Sequence, residues 1–292
     1  MGTGRGIGKA PAAILLCLAG ICSIRASQAA NNDFCFSILG DRTGDAVQRI
    51  YEQVWKDVDS LHPDFVINAG DTIQGGTDAA ESEWRALRVL WKRYNYPLYF
   101  TPGNHDIWSA ASRSIYEKET GRPASYAFDY KNAHFTVLDN SQTEDLSPQQ
   151  MEFLERDLAA NRDRDPKFVF FHKPFWLLPV TFQSGDFPFH QLIRKYGVRY
   201  VISGHGHQFV RLVQDGIAYL EAPSSGGQLK GQGFAQGWLF GQVFTCVKGS
   251  EVEMSVREVA GSAGKGRRFN AEEWLSNGSK KPFVNLAPEY RK

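Results

Sequence analysis

An α/β fold of two packed mixed β-sheets flanked by helices is what this sequence predicts, and three observations predict it. Short apolar runs recur along the chain, each ending in a polar turn that in most cases carries glycine. Stretches with apolar residues spaced three to four apart lie between the early runs. The later part of the chain turns to strand-like runs separated by glycines. Continuous apolar runs of four to six residues suit strands buried on both faces, and their alternation with helical patterns suits layered sheets and helices.

In chain order, Phe34–Leu39 leads into Gly40-Asp41-Arg42-Thr43-Gly44, and Phe65–Asn68 into Gly70-Asp71. Leu98–Phe100 leads into Pro102-Gly103-Asn104-His105-Asp106. Phe168–Phe171 ends at His172-Lys173-Pro174, and Tyr200–Ile202 runs into Gly204-His205-Gly206-His207. Between them, Val47, Ile50, Val54, Val58 and Leu61 predict one helix, and Trp84, Leu87, Leu90 and Trp91 a second. Ser147-Pro148 opens a third, because serine caps a helix start and proline suits its first position. Ala127 to Leu138 reads as a hairpin-like pair. Phe209 to Val256 reads mostly as strand. From Gly261 to Lys292 the Gly-, Ser- and Lys-rich composition reads as a peripheral tail, leaving residues 30–260 as the folded domain.

Lys plus Arg number 33 against 32 Asp plus Glu, so the chain lacks the basic excess that nucleic-acid binding requires. Hydrophobic residues at 42% exclude a disordered chain, and glycine at 28 of 292 excludes a collagen. Arg5 and Lys9 precede an apolar run from Ala10 to Ile24, followed by small residues through Ala30. This pattern predicts a secretory signal peptide over residues 1–29, with an uncleaved anchor as the alternative. The run is shorter than the ~20 apolar residues of a spanning helix, so no transmembrane span is expected after cleavage, and the protein is expected to be periplasmic or secreted. Losing Arg5, Lys9 and Arg25 leaves a net charge of −2, and losing Cys17 and Cys22 leaves Cys35 and Cys246. Those two either form one bridge or sit as separate buried thiols.

The strand ends carry Asp41, Asp71, Asn104, His105, His172, His205 and His207. Oxygen and imidazole donors without thiolate suit Mn, Fe, Zn or Mg. His205 and His207 stand two apart, which in an extended segment puts both on one face. Two divalent ions held by only two carboxylates and a hydroxide would keep a small positive charge, attractive to a phosphate anion.

Taken in order, Gly40-Asp41, Gly70-Asp71, Gly103-Asn104-His105-Asp106, Phe171-His172 and Gly204-His205-Gly206-His207 resemble the blocks of the calcineurin-like metallophosphoesterase superfamily. The stretches Tyr126–Tyr130 and His134–Asp139 resemble that family's intervening strand pair. The resemblance implies a metallophosphoesterase-like sandwich that hydrolyses a phosphomonoester or phosphodiester with two divalent ions, Mn, Fe or Zn foremost. By position, Asp71 would bridge both ions, Asp41 and His207 would hold the first, and Asn104, His172 and His205 the second. His105 would stand over the substrate, with Asp106 orienting its ring, while a metal-bound hydroxide attacked phosphorus in line. Asn104, Arg42 and Lys173 are candidate substrate contacts. One departure stands out: the family's first block is usually Asp-x-His, and here Thr43 takes the histidine's place. The first ion would bind weakly or recruit water, Gln74 or Asp45. A metal-binding pseudoenzyme or an envelope binding protein on the same scaffold is the alternative. Trp108, Phe175 and Trp176 read either as a leaving-group pocket or as core. His134 and His190 read as structural or surface groups, and the glycine loops at 224–227 and 231–233 as candidate cleft edges.

Overall fold

The computed structural model describes residues 32–182, 187–259 and 266–277, together with residues 1, 2 and 4. Strand β1 (Phe34–Leu39) shows why a sandwich forms. Phe34, Phe36 and Ile38 enter the core between the sheets, while Leu39 packs on the other face against helices. Strands β2 (Phe65–Asn68) and β3 (Leu98–Phe100) run parallel beyond it. On its other side stand the antiparallel strands β10 (Gly241–Lys248), β11 (Glu251–Glu258) and β12 (Arg268–Asn270), giving the order β12-β11-β10-β1-β2-β3. The second sheet is β4 (Tyr126–Tyr130), β5 (Ala133–Val137), β6 (Lys167–Phe170), β7 (Tyr200–Ser203), β8 (Val210–Gln214) and β9 (Ile217–Glu221). Its order is β4-β5-β6-β7-β9-β8, with β4 and β8 antiparallel to their neighbours.

Aromatic rings join the two sheets. Phe36 stacks on Phe65 at 4.9 Å and meets Phe168 edge-on at 5.4 Å, and Phe168 stacks on Phe135 at 4.8 Å. Such pairs add about 0.5–1.5 kcal/mol each beyond area burial. Helices α1 (Ile50–Leu61), α2 (Ala80–Trp91) and α3 (Ala110–Thr120) cover the first sheet. Helices α4 (Pro148–Ala160), α5 (Leu177–Thr181) and α6 (Pro188–Lys195) cover the second. Ser147 caps α4 by accepting from Gln150 N–H, as the Ser-Pro pair predicts. No helix among the described residues is long and apolar enough to cross a membrane.

Three differences from the sequence reading have local causes. Helix α1 begins at Ile50, because Ala46 bridges to Gly227 and holds the preceding chain extended, leaving Val47 exposed. Helix α3 has too polar a stripe to be read from spacing; Ser109 and Ser112 cap it reciprocally. Part of the supposed tail belongs to the core. Residues 268–270 extend the first sheet, and helix α7 (Ala271–Asn277) buries Trp274 against Phe209, Phe234 and Phe269 at 5.1–5.7 Å. Cys35 and Cys246 lie directly opposite each other in β1 and β10 and form a disulfide, not two separate thiols. The proposed signal segment, residues 1–29, lies almost wholly outside the described residues, as do 278–292.

Candidate active site

The carboxyl ends of β1, β2, β3, β6 and β7 meet on one edge of the sandwich, so residues far apart in sequence converge there. Asp41, Asp71, His172 and His207 are all buried. Donor atoms of Asp71, His172 and His205 lie within 4.8 Å of one another. Within that group, His172 Nε2 is 3.2 Å from Asp71 Oδ2 and 3.3 Å from His205 Nδ1. On the other side, His207 Nε2 lies 3.2 Å from Asp41 Oδ2. The amide N–H of His205 donates to Asp41 Oδ1 at 2.9 Å, tying the two halves together.

Backbone geometry makes this approach possible. A Cβ on Gly103 would stand 2.1 Å from Asp71 Oδ1, and one on Gly70 (φ 111°) would stand 2.2 Å from His172 Nδ1. Asp71, His205 and His207 take left-handed backbone conformations, with φ of 53°, 78° and 62°. Each costs of order 1–3 kcal/mol, and such strain collects where side chains are placed for function. The segment from His205 to His207 is therefore not extended. Its two histidines reach the site through a tight turn.

Carbonyl oxygens set the ring orientations. His172 Nδ1–H donates to Ala69 O at 3.0 Å, and His207 Nδ1–H to Gln228 O at 2.6 Å, which leaves each Nε2 turned to a carboxylate. His105 Nδ1–H donates to Gln74 O at 2.6 Å. Its Nε2 has no partner among the described residues, and the ring lines the cleft with Asp71, Asn104 and His205. The ring is held by Gln74, not by Asp106. Asp106 is buried and accepts from the amides of Thr72, Ile73 and Gly103, which fixes the turns after β2 and β3 instead.

Arg42 also departs from expectation. Asp41 and Thr43 are buried, whereas Arg42 between them is only half-buried. Its guanidinium donates to Thr72 O at 3.2 Å and lies over the Tyr51 ring at 5.7 Å, in a groove separate from the ligand cleft. Lys173 pairs with Glu144 at 2.8 Å beside the cleft. The Thr43 hydroxyl donates to Gln74 Oε1, and Asp45 lies on the cleft wall. Trp176 is wholly buried in core, Trp108 packs beneath α3, and Phe175 reaches a neighbouring cavity. The loop at 224–227 edges the site: a Cβ on Gly227 would meet the His207 ring at 2.5 Å. His134 and His190 are buried elsewhere, each beside carboxylates. The sequence offered Gln74 as a possible ligand but not as the group that holds the His105 ring, and Gln228 and Lys230 gave no signal of their spatial roles, because Gln74 and Gln228 act through backbone carbonyls.

Electrostatics agree with a cation site. Burial alone would push the His172 imidazole down, yet Asp71 and Asp41 hold it up to about 9. Burial and the neighbouring His172 push His205 down to about 4. Burial would raise the Asp41 carboxyl, but His172 and His207 hold it well below the usual range. Burial and Asp71 push Asp106 up to about 7, and burial with Asp41 pushes Glu221 up to about 8. The positive charge among these crowded carboxylates is the raised His172 proton, in the place a divalent ion would take. The Oδ1 atom of Asn104 supplies an independent sign. It is buried with no hydrogen-bond partner among the described residues, a costly state for an amide oxygen unless something electropositive meets it. The residues present therefore fit a divalent metal.

Two sheets whose strand ends gather carboxylate, imidazole and amide donors beneath an uncommitted histidine define a metal-dependent phosphoric ester hydrolase. The chain belongs to the calcineurin-like phosphoesterase family, whose model matches residues 42–209. It is 26% identical over 207 residues to a 3',5'-cyclic adenosine monophosphate phosphodiesterase CpdA of Vibrio vulnificus, covering 66% of this chain and 72% of that one. It is 25% identical over 187 residues to the DNA double-strand break repair protein Mre11 of Methanococcus maripaludis, covering 58% and 47%. In fold it is similar to purple acid phosphatase PPD1 of yellow lupin, with TM-score 0.58 and 17% identity over 88% of this chain and 56% of that one, so it spans just over half of that protein. GAP50, the anchor in the inner membrane complex of Plasmodium, gives TM-score 0.55 and 14% identity over 87% and 95%.

Proposed function

We propose that this protein is an exported phosphoesterase that holds two divalent ions between Asp41 and His207 on one side and Asn104, His172 and His205 on the other, with Asp71 between them. The observation that carries this reading is the convergence of Asp71, His172 and His205 donors within 4.8 Å, beside an Asn104 oxygen that has no protein partner. Divalent ions bound there supply Lewis acidity toward phosphoryl oxygens and acidify a water. Asp71 and Asp41 would offset only part of the ions' charge, leaving the set positive toward a phosphate anion. The amide N–H of His105 donates to Asp71 Oδ1 at 2.9 Å and fixes that carboxylate. His105 Nδ1 is committed to Gln74, so Nε2 is the atom that delivers a proton to the departing oxygen.

Thr43 supplies no imidazole, so the Asp41 side binds its ion more weakly than the His172 side. The diesterase relatives support a diester substrate, and 3',5'-cyclic AMP is the first to test. The Cys35–Cys246 disulfide supports export, since such bonds persist in oxidising compartments. N-terminal sequencing of the exported protein should begin at or near Ala30.

The test is turnover of p-nitrophenyl phosphate, bis-p-nitrophenyl phosphate and 3',5'-cyclic AMP with Mn²⁺, Zn²⁺ or Fe²⁺, alongside metal content by mass spectrometry. Asp71→Asn should lose both turnover and bound metal. His105→Ala should keep its metal and lose on the order of 10²–10⁴ in rate, the usual share of general acid catalysis. Undiminished turnover in Asp71→Asn overturns the reading.

A further inference from the structure

We propose that a second cavity beside the metal-ligand set receives the organic group of the ester and selects a flat, uncharged aromatic one. This rests on the phosphoesterase reading above and adds a substrate class to it. The cavity measures about 310 Å³ and shares His205 and Lys230 with the cleft over Asp71, Asn104 and His105. A phosphoryl group over the ligands therefore has its organic substituent at the mouth of this cavity.

The walls are built for a ring. Phe175 and Trp238 face the cavity together with Leu177 and Leu178. Phe175 is already fixed, its ring 4.8 Å from Phe171 and 5.1 Å from Phe189, so little side-chain freedom is lost when a ligand stacks there. The Trp238 indole lies against Gly231, where a Cβ would come within 2.3 Å of the ring, so the loop packs flush and holds it half-buried. The volume falls at the small end of ligand pockets, ~300–1,000 Å³, which suits one ring system and not a long chain.

Charge narrows the class. Glu144, Asp145 and the buried Glu221 line the cavity against Lys173 and Lys230, and Lys173 is already paired with Glu144 at 2.8 Å. Lys230 donates to His205 O at 3.2 Å and is the one lysine of the lining not paired with Glu144, so an organic group carrying its own negative charge would meet three carboxyl groups against two lysines. Gln208, also buried, completes the polar floor beside Glu221.

The experiment is calorimetric titration of the Mn²⁺-loaded protein with methylphosphonate, phenylphosphonate and 4-carboxyphenylphosphonate, at a pH where every phosphonate is a dianion. Phenylphosphonate should bind at least about tenfold tighter than methylphosphonate, a ratio worth about 1.4 kcal/mol. The carboxylated ring should lose most of that advantage. Trp238→Ala should bring the phenyl-to-methyl ratio to within about threefold, and Leu178→Lys, at a side chain 39% exposed, should do the same without touching the core. Equal binding of methyl and phenyl probes, or a ratio unmoved in both variants, overturns the subsite and leaves the hydrolase reading intact. Binding of neither probe together with no ester turnover overturns both.

Discussion

Gly103→Ala is a one-methyl test of how this site is assembled. The added Cβ would lie 2.1 Å from Asp71 Oδ1 and 2.2 Å from the Asp71 backbone nitrogen. Carbon and oxygen normally approach no closer than about 3 Å, so the two strand-end turns must separate by roughly 1 Å. Relief by rotating a flexible side chain is not available, because one of the two clashing atoms is backbone. Overpacking of this kind costs about 1–3 kcal/mol of stability, which leaves a folded protein. Its catalytic cost is larger. A displacement of 1 Å in a positioning group is worth on the order of 10² in rate. The assay is kcat on bis-p-nitrophenyl phosphate with saturating Mn²⁺, paired with thermal unfolding. A variant within threefold of the parent would refute the claim that close backbone approach fixes the Asp71 carboxylate.

Other consequences follow from the same structure. Burial would lower the His134 imidazole, but the hydrogen bonds it donates to Asp157 and Asp129 hold it above its ordinary 6.5. Its contribution is therefore fully present below pH 6.5 and lost as pH rises through the folded-state value. The stability difference between the parent and His134→Gln, read from urea midpoints, should shrink from pH 6 to pH 9. Replacing Cys35 and Cys246 by serine opens a loop spanning 211 residues and should cost about 2–5 kcal/mol in denaturant unfolding. Trp274→Ala should cost about 3–5 kcal/mol, measured the same way, whereas a peripheral tail would show almost no loss.

Much of the fold was legible in the sequence because buried parallel strands need uninterrupted apolar runs, and β1, β2, β6 and β7 have them. Helix α4 announced itself through Ser147 and Pro148. Helix α3 did not, since its stabilisation comes from serine capping and from Tyr116, not from a broad apolar stripe. The 268–277 segment stayed hidden for a different reason: Phe269 and Trp274 are isolated aromatics in a polar stretch, and only Phe209 and Phe234 make sense of them. At the site, the ligand types stood out as oxygen and nitrogen donors at strand ends. Their orienting partners did not, because Ala69, Gln74 and Gln228 act through carbonyl oxygens that every residue possesses.

By itself, then, the order of residues determined the buried parallel strands β1, β2, β6 and β7 and which donors their ends present, since both depend on local side-chain pattern. Tertiary structure alone decided that Asp106 braces turns instead of steering His105, that Arg42 leaves the cleft for Tyr51, and that the Thr43 hydroxyl donates to Gln74. Those outcomes depend on distances of a few ångströms between segments dozens of residues apart, and no spacing along one chain encodes them.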